Sequence, residues 1–227
     1  MENFSDLYTD YLISSTSLTT ATGLSSLLKG SISHDKITRQ LTKDDYDSRY
    51  LWKKVKPMVE EICSSDDLAV ICFDDSIEEK RYTDESELIG WHFDHTINRA
   101  VKGVNFLTAL LNTKGISLPC SVEFVKKDKK ITDAKTGKIK RVSSKTKNEM
   151  YREMLRHCER NINFDYVLND SWYSSAENMQ FIKEELKRNF IMALKSNRKV
   201  ALSQQNKVQK KYIGIGSLKL EQQPVEI

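Results

Sequence analysis

The stretch Leu68-Ala-Val-Ile-Cys-Phe73-Asp74-Asp75-Ser76 decides the fold of this chain. Its unbroken apolar run predicts a strand that is buried on both faces. Much later in the chain, Phe164-Asp-Tyr-Val-Leu168 runs into Asn169-Asp170-Ser171 in the same manner. Carboxylates that follow such strands face the crevice in which open α/β sheets bind their ligands. If the two strands are neighbours, we therefore expect Asp75 and Asp170 to converge.

Two converging carboxylates indicate a cation site. Close carboxylates repel each other unless a cation lies between them, and ligation by oxygen alone suits Mg²⁺ or Mn²⁺. The sequence therefore predicts that Asp75 and Asp170 are metal ligands. The alternatives are a solvated strand-to-loop turn at Asp74-Asp75-Ser76 and a helix N-cap at Asp170.

Length and composition are those of a globular protein with one sizeable core, or with a main and a smaller domain. The 227 residues are 39% hydrophobic and 30% charged. Apolar runs fall short of the roughly 18 residues that span a membrane, and the first residues lack the apolar segment of a signal peptide. We therefore expect a cytoplasmic protein with no membrane partner. The four scattered cysteines, without metal-binding spacing, predict reduced thiols.

Basic residues are concentrated in the second half of the chain. Residues 126–147 contain ten Lys or Arg and two Asp or Glu, and residues 183–227 contain ten and four. Basic side chains displace counterions from phosphates, so we expect this half to contact DNA. The alternative for residues 126–147 is a solubilising loop. The residues predicted to contact DNA here are Lys126, Lys127, Lys129, Lys130, Lys138, Lys140, Arg141, Lys195 and Arg198.

Residues 1–65 are predicted to form a helical region that binds DNA. Within residues 17–42, two short helices are separated by Lys29-Gly-Ser-Ile32. The second helix carries Lys36 and Arg39, residue types that reach phosphates or base edges. This pattern favours a reader similar to a helix-turn-helix, and the alternative is an ordinary pair of helices. The predicted helix boundaries are a cap at Ser33, a cap at Asp47 or Ser48, and a kink or break at Pro57.

The pattern of residues 66–199 predicts an α/β core that contains residues 126–147 as a solvated basic arm. Three antiparallel strands, a helix, a strand, a helix and a strand describe the ribonuclease H-like fold. We expect a mixed five-stranded sheet flanked by helices, with its first and fourth strands adjacent. The expected strands are 68–73, 91–95, 103–111, 116–125, 164–168, 189–194 and 212–220, the expected helices are 148–160 and one opened by a Ser174 capping box, and a turn is expected at 133–137.

Several motifs in this order resemble the DDE transposases of bacterial insertion sequences. The resemblance covers nearly the whole chain. The motifs are Thr19-Thr-Ala-Thr-Gly-Leu24, Ser33-His-Asp-Lys-Ile-Thr-Arg39, Phe73-Asp-Asp-Ser-Ile-Glu-Glu-Lys80, Trp91-His-Phe-Asp-His95, Val101-Lys-Gly-Val-Asn105, Val167-Leu-Asn-Asp-Ser-Trp-Tyr-Ser-Ser175, Glu177-Asn-Met-Gln-Phe-Ile182 and Phe190-Ile-Met-Ala-Leu-Lys-Ser-Asn-Arg198.

The resemblance implies a transposase that cuts and joins double-stranded DNA at transposon ends and target. Such enzymes hold two divalent metals with Asp, Asp and Glu in a ribonuclease H-like core. The first Asp usually precedes Thr or Ser, which matches Asp75 before Ser76, and the second matches Asp170. The resemblance also implies a bacterial protein that is associated with the nucleoid when bound to DNA and works as a homodimer.

In such enzymes the Glu lies on a helix after an insertion domain. The chain ends before such a helix is expected, so residues 200–227 are predicted to be the start of an incomplete insertion domain. Glu177, Glu184 and Glu185 are predicted to belong to a solvent face instead. One alternative function is therefore a truncated, non-catalytic DNA-binding remnant of a transposase. Another is a metal-dependent nuclease that cuts without joining.

Overall fold

The computed structural model describes residues 4–16, 18–43, 45–63, 67–134 and 136–218. The chain divides into two compact units, Met1–Tyr50 and Leu51–Ile227. All four cysteines are free thiols. Within the part of the chain that the structure describes, no helix has the length and apolar character needed to cross a membrane.

Three helices form the first unit around a small core. Thr20 and Ser33 cap the second and third helices, because each hydroxyl accepts a hydrogen bond from a backbone N–H three residues later. The cap predicted at Ser33 is therefore confirmed. The helices are α1 (Phe4–Ser14), α2 (Ala21–Leu27) and α3 (His34–Leu41), and the core consists of Tyr11, Leu24 and Ile37.

Helix α4 (Ser48–Ile62) contributes to the core of the second unit. The Asp47 carboxylate accepts hydrogen bonds from the backbone N–H groups of the first turn, at 3.0 and 2.9 Å, so Asp47 is the cap. The helix continues through Pro57 and is not divided there. Val55 and Val59 are buried against the sheet, so the structural boundary lies after Tyr50, earlier than the predicted end of the helical region at residue 65.

Among its described residues, the second unit contains a six-stranded mixed sheet, two small two-stranded sheets and three further α-helices. In chain order its elements are β1 (Ala69–Glu79), β2 (Ile89–Asp94), β3 (Arg99–Thr113), β4 (Ile116–Phe124), β5 (Lys129–Thr132), β6 (Ile139–Val142), α5 (Lys147–Asn161), β7 (Tyr166–Asn169), α6 (Ala176–Gln180), β8 (Asn189–Met192), β9 (Lys199–Val200), α7 (Gln204–Val208) and β10 (Ile213–Gly214). A π-helical turn (Phe181–Glu185) follows α6.

The strand order of the main sheet confirms the predicted fold. β4, β3 and β1 pair antiparallel, and β1, β7 and β8 pair parallel. β1 therefore lies beside β7, which is the fourth strand of the core when the additional strand β2 is not counted, as the ribonuclease H-like fold requires. The sheet has six strands where five were expected, because β2 pairs with the first part of β3 on the edge that β4 occupies further along.

Strand β1 does not end at the aspartates. β3 pairs with all eleven residues of β1, whereas β7 pairs with it only as far as Phe73. Beyond Phe73 one edge of β1 is without β7, which is why polar residues follow the apolar run. Gly103 allows close pairing here, since a Cβ at that position would lie 2.2 Å from the backbone oxygen of Glu78.

The helix that covers this sheet was predicted correctly. Met150, Tyr151, Met154, Leu155 and Cys158 of α5 are buried, at the spacing of one helical face. Thr146 caps the helix in a capping box with Glu149, which sequence analysis had not identified.

Residues 126–147 are more ordered than the predicted loop. β5 and β6 pair antiparallel to form a hairpin, and the predicted turn is present, with the Gly137 N–H donating to the Asp133 carbonyl at 2.8 Å. The two strands of this solvated arm were not predicted, because lysine alternating with a few apolar residues is a weak strand signal.

The C-terminal elements differ from the expectation in two places. Ser175 caps α6, whereas Ser174 is buried and donates to the carbonyl of Ser171. The predicted strand 212–220 is the two-residue β10, paired with β9 and followed by a 3-10 turn, and its last two positions lie outside the described residues. The predicted start of an insertion domain at 200–227 is described only as far as residue 218.

Candidate active site

A groove lies where the parallel pairing of β1 and β7 ends. The last paired residues are Phe73 and Asn169, so Asp170 follows β7 while β1 continues through Asp74 and Asp75. All three aspartates, together with Asp94 of β2, line a cavity of about 930 Å³. Lysines from three separate segments line the same cavity: Lys127, Lys147 and Lys195. The groove thus combines clustered carboxylates with positive charge.

Asp75 is paired with a lysine. Its side chain lies on the same face of β1 as the buried ring of Phe73, and it is only 24% exposed. The ammonium of Lys147, the first residue of α5, forms an ion pair with Oδ2 of Asp75 and is 26% exposed. In the sequence, Lys147 is one of the ten basic residues of 126–147, and its contact with Asp75 was not predicted.

Asp170 is exposed and begins a tight turn. Its Oδ1 accepts a hydrogen bond from the backbone N–H of Trp172 at 2.8 Å. The preceding Asn169 donates to the Asp170 carbonyl at 3.1 Å and accepts from the Tyr151 hydroxyl at 2.9 Å. The turn that presents the Asp170 carboxylate is therefore tied to the buried face of α5.

Tyr173 lies beneath the carboxylates. Its ring is buried and stacks on Tyr151 at 4.9 Å, and its hydroxyl has no hydrogen-bond partner among the residues that the structure describes. Burial raises the pKa of Tyr173 far above its ordinary value, and the negative charges of Asp75, Asp170 and Asp74 raise it further. The phenol is therefore a protonated donor without a partner among the described residues, close to the groove.

Aromatic rings and a lysine form one wall of the groove. The His95 ring, just after β2, lies 5.2 Å from the Trp172 ring, and the Lys195 ammonium lies 4.9 Å from the Trp172 centroid. These contacts join the segment after β2 to the turn after β7. Lys195 was predicted to contact DNA. It lines the groove, with its ammonium over the exposed indole of Trp172.

Lys127, another predicted DNA contact, is turned into the groove. Its ammonium donates to the carbonyl of Trp91, and burial lowers its pKa. Next to it, the pKa of His92 is lowered to about 4 by burial and then by the charges of Lys127 and Lys147. His92 is therefore neutral at pH 7, and its presence in the groove was not predicted.

The remaining predicted DNA contacts lie outside the groove. Lys36 and Arg39 are exposed on α3 in the first unit, and Lys140 of the hairpin pairs with Asp133 at 2.7 Å. The other predicted residues are exposed or partly exposed: Lys126, Lys129, Lys130, Lys138, Arg141 and Arg198.

The three glutamates weighed as substitutes for a third acidic ligand are engaged elsewhere. Glu177 pairs with Arg152 at 3.1 Å, Glu185 pairs with Arg156 at 3.0 Å, and Glu184 accepts from Gln180. None of these three described residues lines the groove. Among the described residues, no group of three or more His, Cys, Asp or Glu side chains is arranged to hold a metal ion.

The groove nevertheless suits a hard divalent cation in the chemistry of its donors. Asp75 and Asp170 offer oxygen ligands only, which are the donors that Mg²⁺ and Mn²⁺ prefer. Mg²⁺ usually retains several waters and uses one or two carboxylates together with substrate phosphates. Two aspartates in a groove lined with lysines meet that requirement.

Comparison with known proteins identifies the family. A family model described as DDE superfamily endonuclease matches residues 2–217, and a search of curated proteins found no match. The Drosophila P element transposase strand transfer complex is similar in structure at 13% identity and a TM-score of 0.36, over 81% of this chain and 36% of that chain. The chain thus spans about a third of that transposase's length. The family match confirms the DDE resemblance: this chain belongs to the DDE superfamily endonucleases.

Proposed function

We propose that this protein is a transposase that cuts and joins DNA at transposon ends with Mg²⁺ or Mn²⁺. The observation that carries the proposal is that Asp75 on β1 and Asp170 just after β7 line one groove together with three lysines, in a chain of the DDE endonuclease superfamily. Its substrates are double-stranded transposon ends and target DNA. It acts in the bacterial cytoplasm on nucleoid DNA, and as a homodimer that pairs two ends.

Asp75 and Asp170 are the residues that hold the metal in this proposal. A bound pair of divalent ions activates the attacking oxygen and stabilises the leaving oxygen in phosphodiester transfer. Lys127 and Lys195, which line the groove, supply positive charge that attracts the phosphate. Trp172 and His95 form a wall that limits how the DNA backbone enters.

DNA contacts outside the groove are proposed for two surfaces. The hairpin formed by β5 and β6 carries exposed lysines that neutralise phosphates without reading sequence. In the first unit, Lys36 and Arg39 lie on the exposed side of α3, where they reach phosphates or base edges. The hairpin then supplies affinity, and α3 supplies recognition of transposon ends.

The test is cleavage and joining of duplexes that carry the DNA flanking the protein's own coding sequence, with Mn²⁺ or with chelator. Either Asp75→Asn or Asp170→Asn is expected to reduce cleavage by about 1,000-fold or more, because each removes a proposed metal ligand. The matched control is Asp84→Asn, which changes an exposed aspartate outside the groove and should retain the activity. Full activity of Asp75→Asn would rule out the proposed site.

A second function is supported by one observation: among the described residues, no three acidic or other ligating side chains are arranged to hold a metal ion. In that case the protein binds transposon ends without cutting them. The same assay separates the two functions, because a non-catalytic protein would bind the flanking DNA equally well before and after the Asp75→Asn substitution and would release no product. Cutting without joining would instead identify a nuclease.

A further inference from the structure

The ion pair between Lys147 and Asp75 places a fixed cation on a proposed metal ligand. Thr146 and Glu149 form the capping box that begins α5, with the Thr146 N–H donating to Glu149 at 2.7 Å. On the other side, the Ser144 N–H donates to Asp128 at 2.7 Å. The backbone on both sides of Lys147 is therefore anchored, and its side chain enters the groove from a defined point.

The position of Lys147 is unfavourable for a lysine that serves only the helix. The first turn of a helix carries a partial positive charge, which disfavours cations. The side chain is also about three-quarters removed from water, which costs free energy unless a partner compensates. The carboxylate of Asp75 is that partner. The placement of Lys147 is thus explained by the groove and not by the stability of α5.

From this contact we infer that Lys147 is a positioning residue that occupies Asp75 until a divalent cation displaces it. The inference rests on the proposed function, since it assumes that Asp75 is a metal ligand. An ammonium on Oδ2 of Asp75 weakens metal binding at that carboxylate, because the two cations repel each other. In this inference the Lys147 ammonium leaves Asp75 and enters the groove when a divalent cation binds there.

The released ammonium then faces a groove that is proposed to receive DNA phosphates. A phosphate that binds Lys147 keeps it away from Asp75 and so favours metal binding. By linkage, metal and DNA must strengthen each other's binding by the same factor. Lys147 thus makes the empty groove a weak metal site and the DNA-filled groove a stronger one.

The experiment measures the dissociation constant for Mn²⁺ by calorimetry, with Mn²⁺ alone and then with a bound duplex. For Lys147→Met we expect tighter binding of Mn²⁺ alone by about tenfold or more, because a competing charge next to the site is gone. For Lys147→Arg we expect binding close to the original protein. Lys147→Gln gives a second neutral variant should methionine disturb the fold.

Lys145→Met is the matched control. It removes the same charge two residues away, where the Lys145 ammonium pairs with Glu153 at 2.7 Å outside the groove. We expect its Mn²⁺ affinity to stay within twofold. In the original protein a duplex should tighten Mn²⁺ binding, and in Lys147→Met that enhancement should fall towards one.

The outcomes separate this inference from the proposed function. If Asp75→Asn abolishes both Mn²⁺ binding and cleavage while Lys147→Met and Lys147→Gln bind Mn²⁺ no more tightly than the original protein, the role of Lys147 is overturned and the function stands. If Mn²⁺ binding is unaffected by Asp75→Asn, or absent in every variant, both are overturned. Circular dichroism of each variant verifies that the comparison is between folded proteins.

Discussion

The groove and the hairpin of β5 and β6 use the same residue type in different ways. In the groove each lysine has a partner: Lys147 contacts Asp75, Lys127 contacts the Trp91 carbonyl, and Lys195 lies over Trp172. In the hairpin the lysines are exposed. The difference teaches that position matters for the groove lysines, whereas the hairpin contributes mainly net charge.

The strands that carry these two groups of lysines also differ, because the groove rests on more extensive strand pairing than the hairpin does. The groove is built on β1, which pairs with β3 along all eleven of its residues and with β7 on its other edge. The hairpin has four paired positions, and two-stranded hairpins are marginally stable by themselves. We therefore expect substitutions in the groove frame to destabilise the whole unit and those in the hairpin to act locally.

Two glycines test this contrast and give the largest expected effect. Gly103→Ala should lower the free energy of unfolding by about 3 kcal/mol, because the new Cβ would clash with the backbone at Glu78. Gly137→Ala, at φ +66° in the hairpin turn with open space around it, should cost only about 1 kcal/mol, within the hairpin. Urea unfolding measures both. Equal losses of global stability would contradict the contrast.

Removal of hairpin charge is the next largest effect. The variant with Lys130→Gln, Lys138→Gln, Lys140→Gln and Arg141→Gln should bind duplex DNA about 100-fold more weakly at moderate salt. Each lost phosphate contact reduces the slope of log affinity against log salt by about 0.9. Fluorescence anisotropy over a range of salt concentrations measures both quantities.

The control for that variant removes four exposed lysines elsewhere in the same unit, Lys53, Lys56, Lys187 and Lys207. It has the same net charge, so a specific role of the hairpin requires a smaller change in the control. An equal reduction in affinity and slope would mean that the hairpin acts only through total charge.

The elements predicted from sequence are those whose burial leaves a pattern. β1 and β7 appear as apolar runs because, where the two strands pair, one face of β1 is buried and the other is partly buried, and β7 is buried or partly buried throughout. α5 appears because its buried residues recur at helical spacing. The prediction that Asp75 and Asp170 converge depended on strand order, because neither motif contains that information locally, and the structure places both residues in the lining of one groove.

The parts that were not predicted depend on three-dimensional contacts. The polar residues after Phe73 reflect the loss of β7 as a neighbour, whereas in sequence they read as the end of a strand. A count of charges cannot distinguish Lys147, which turns back to Asp75, from Lys130, which is exposed. The same holds for Tyr173, whose raised pKa depends on burial and then on the nearby carboxylates.

The half-buried histidine of the groove, His92, gives an expected pH dependence. His92 has a pKa of about 4 in the folded protein against an ordinary value of 6.5, because of burial and then of Lys127 and Lys147. The folded state therefore binds fewer protons than the unfolded state between these values, and stability falls as pH decreases from about 6.5 towards 4. Urea unfolding of the original protein and of His92→Gln across this window measures the contribution, since the other titrating groups largely cancel in the difference. A difference that does not change with pH would contradict it.

Lys195 shares features of both regions, because it is exposed like the hairpin lysines and lies over Trp172 like a groove lysine. Lys195→Met should weaken DNA binding only about fivefold and lower the salt slope by about one. Its effect on stability should be within about 1 kcal/mol, the size of an exposed cation–π contact.

The matched control for charge is Lys199→Met, which changes an exposed lysine on β9 that does not line the groove. Lys195→Arg retains both the charge and the stacking, so it should bind as the original protein does. If the arginine variant is as weak as the methionine variant, the position of the ammonium over the indole matters more than its charge, and Lys195 belongs with the groove lysines.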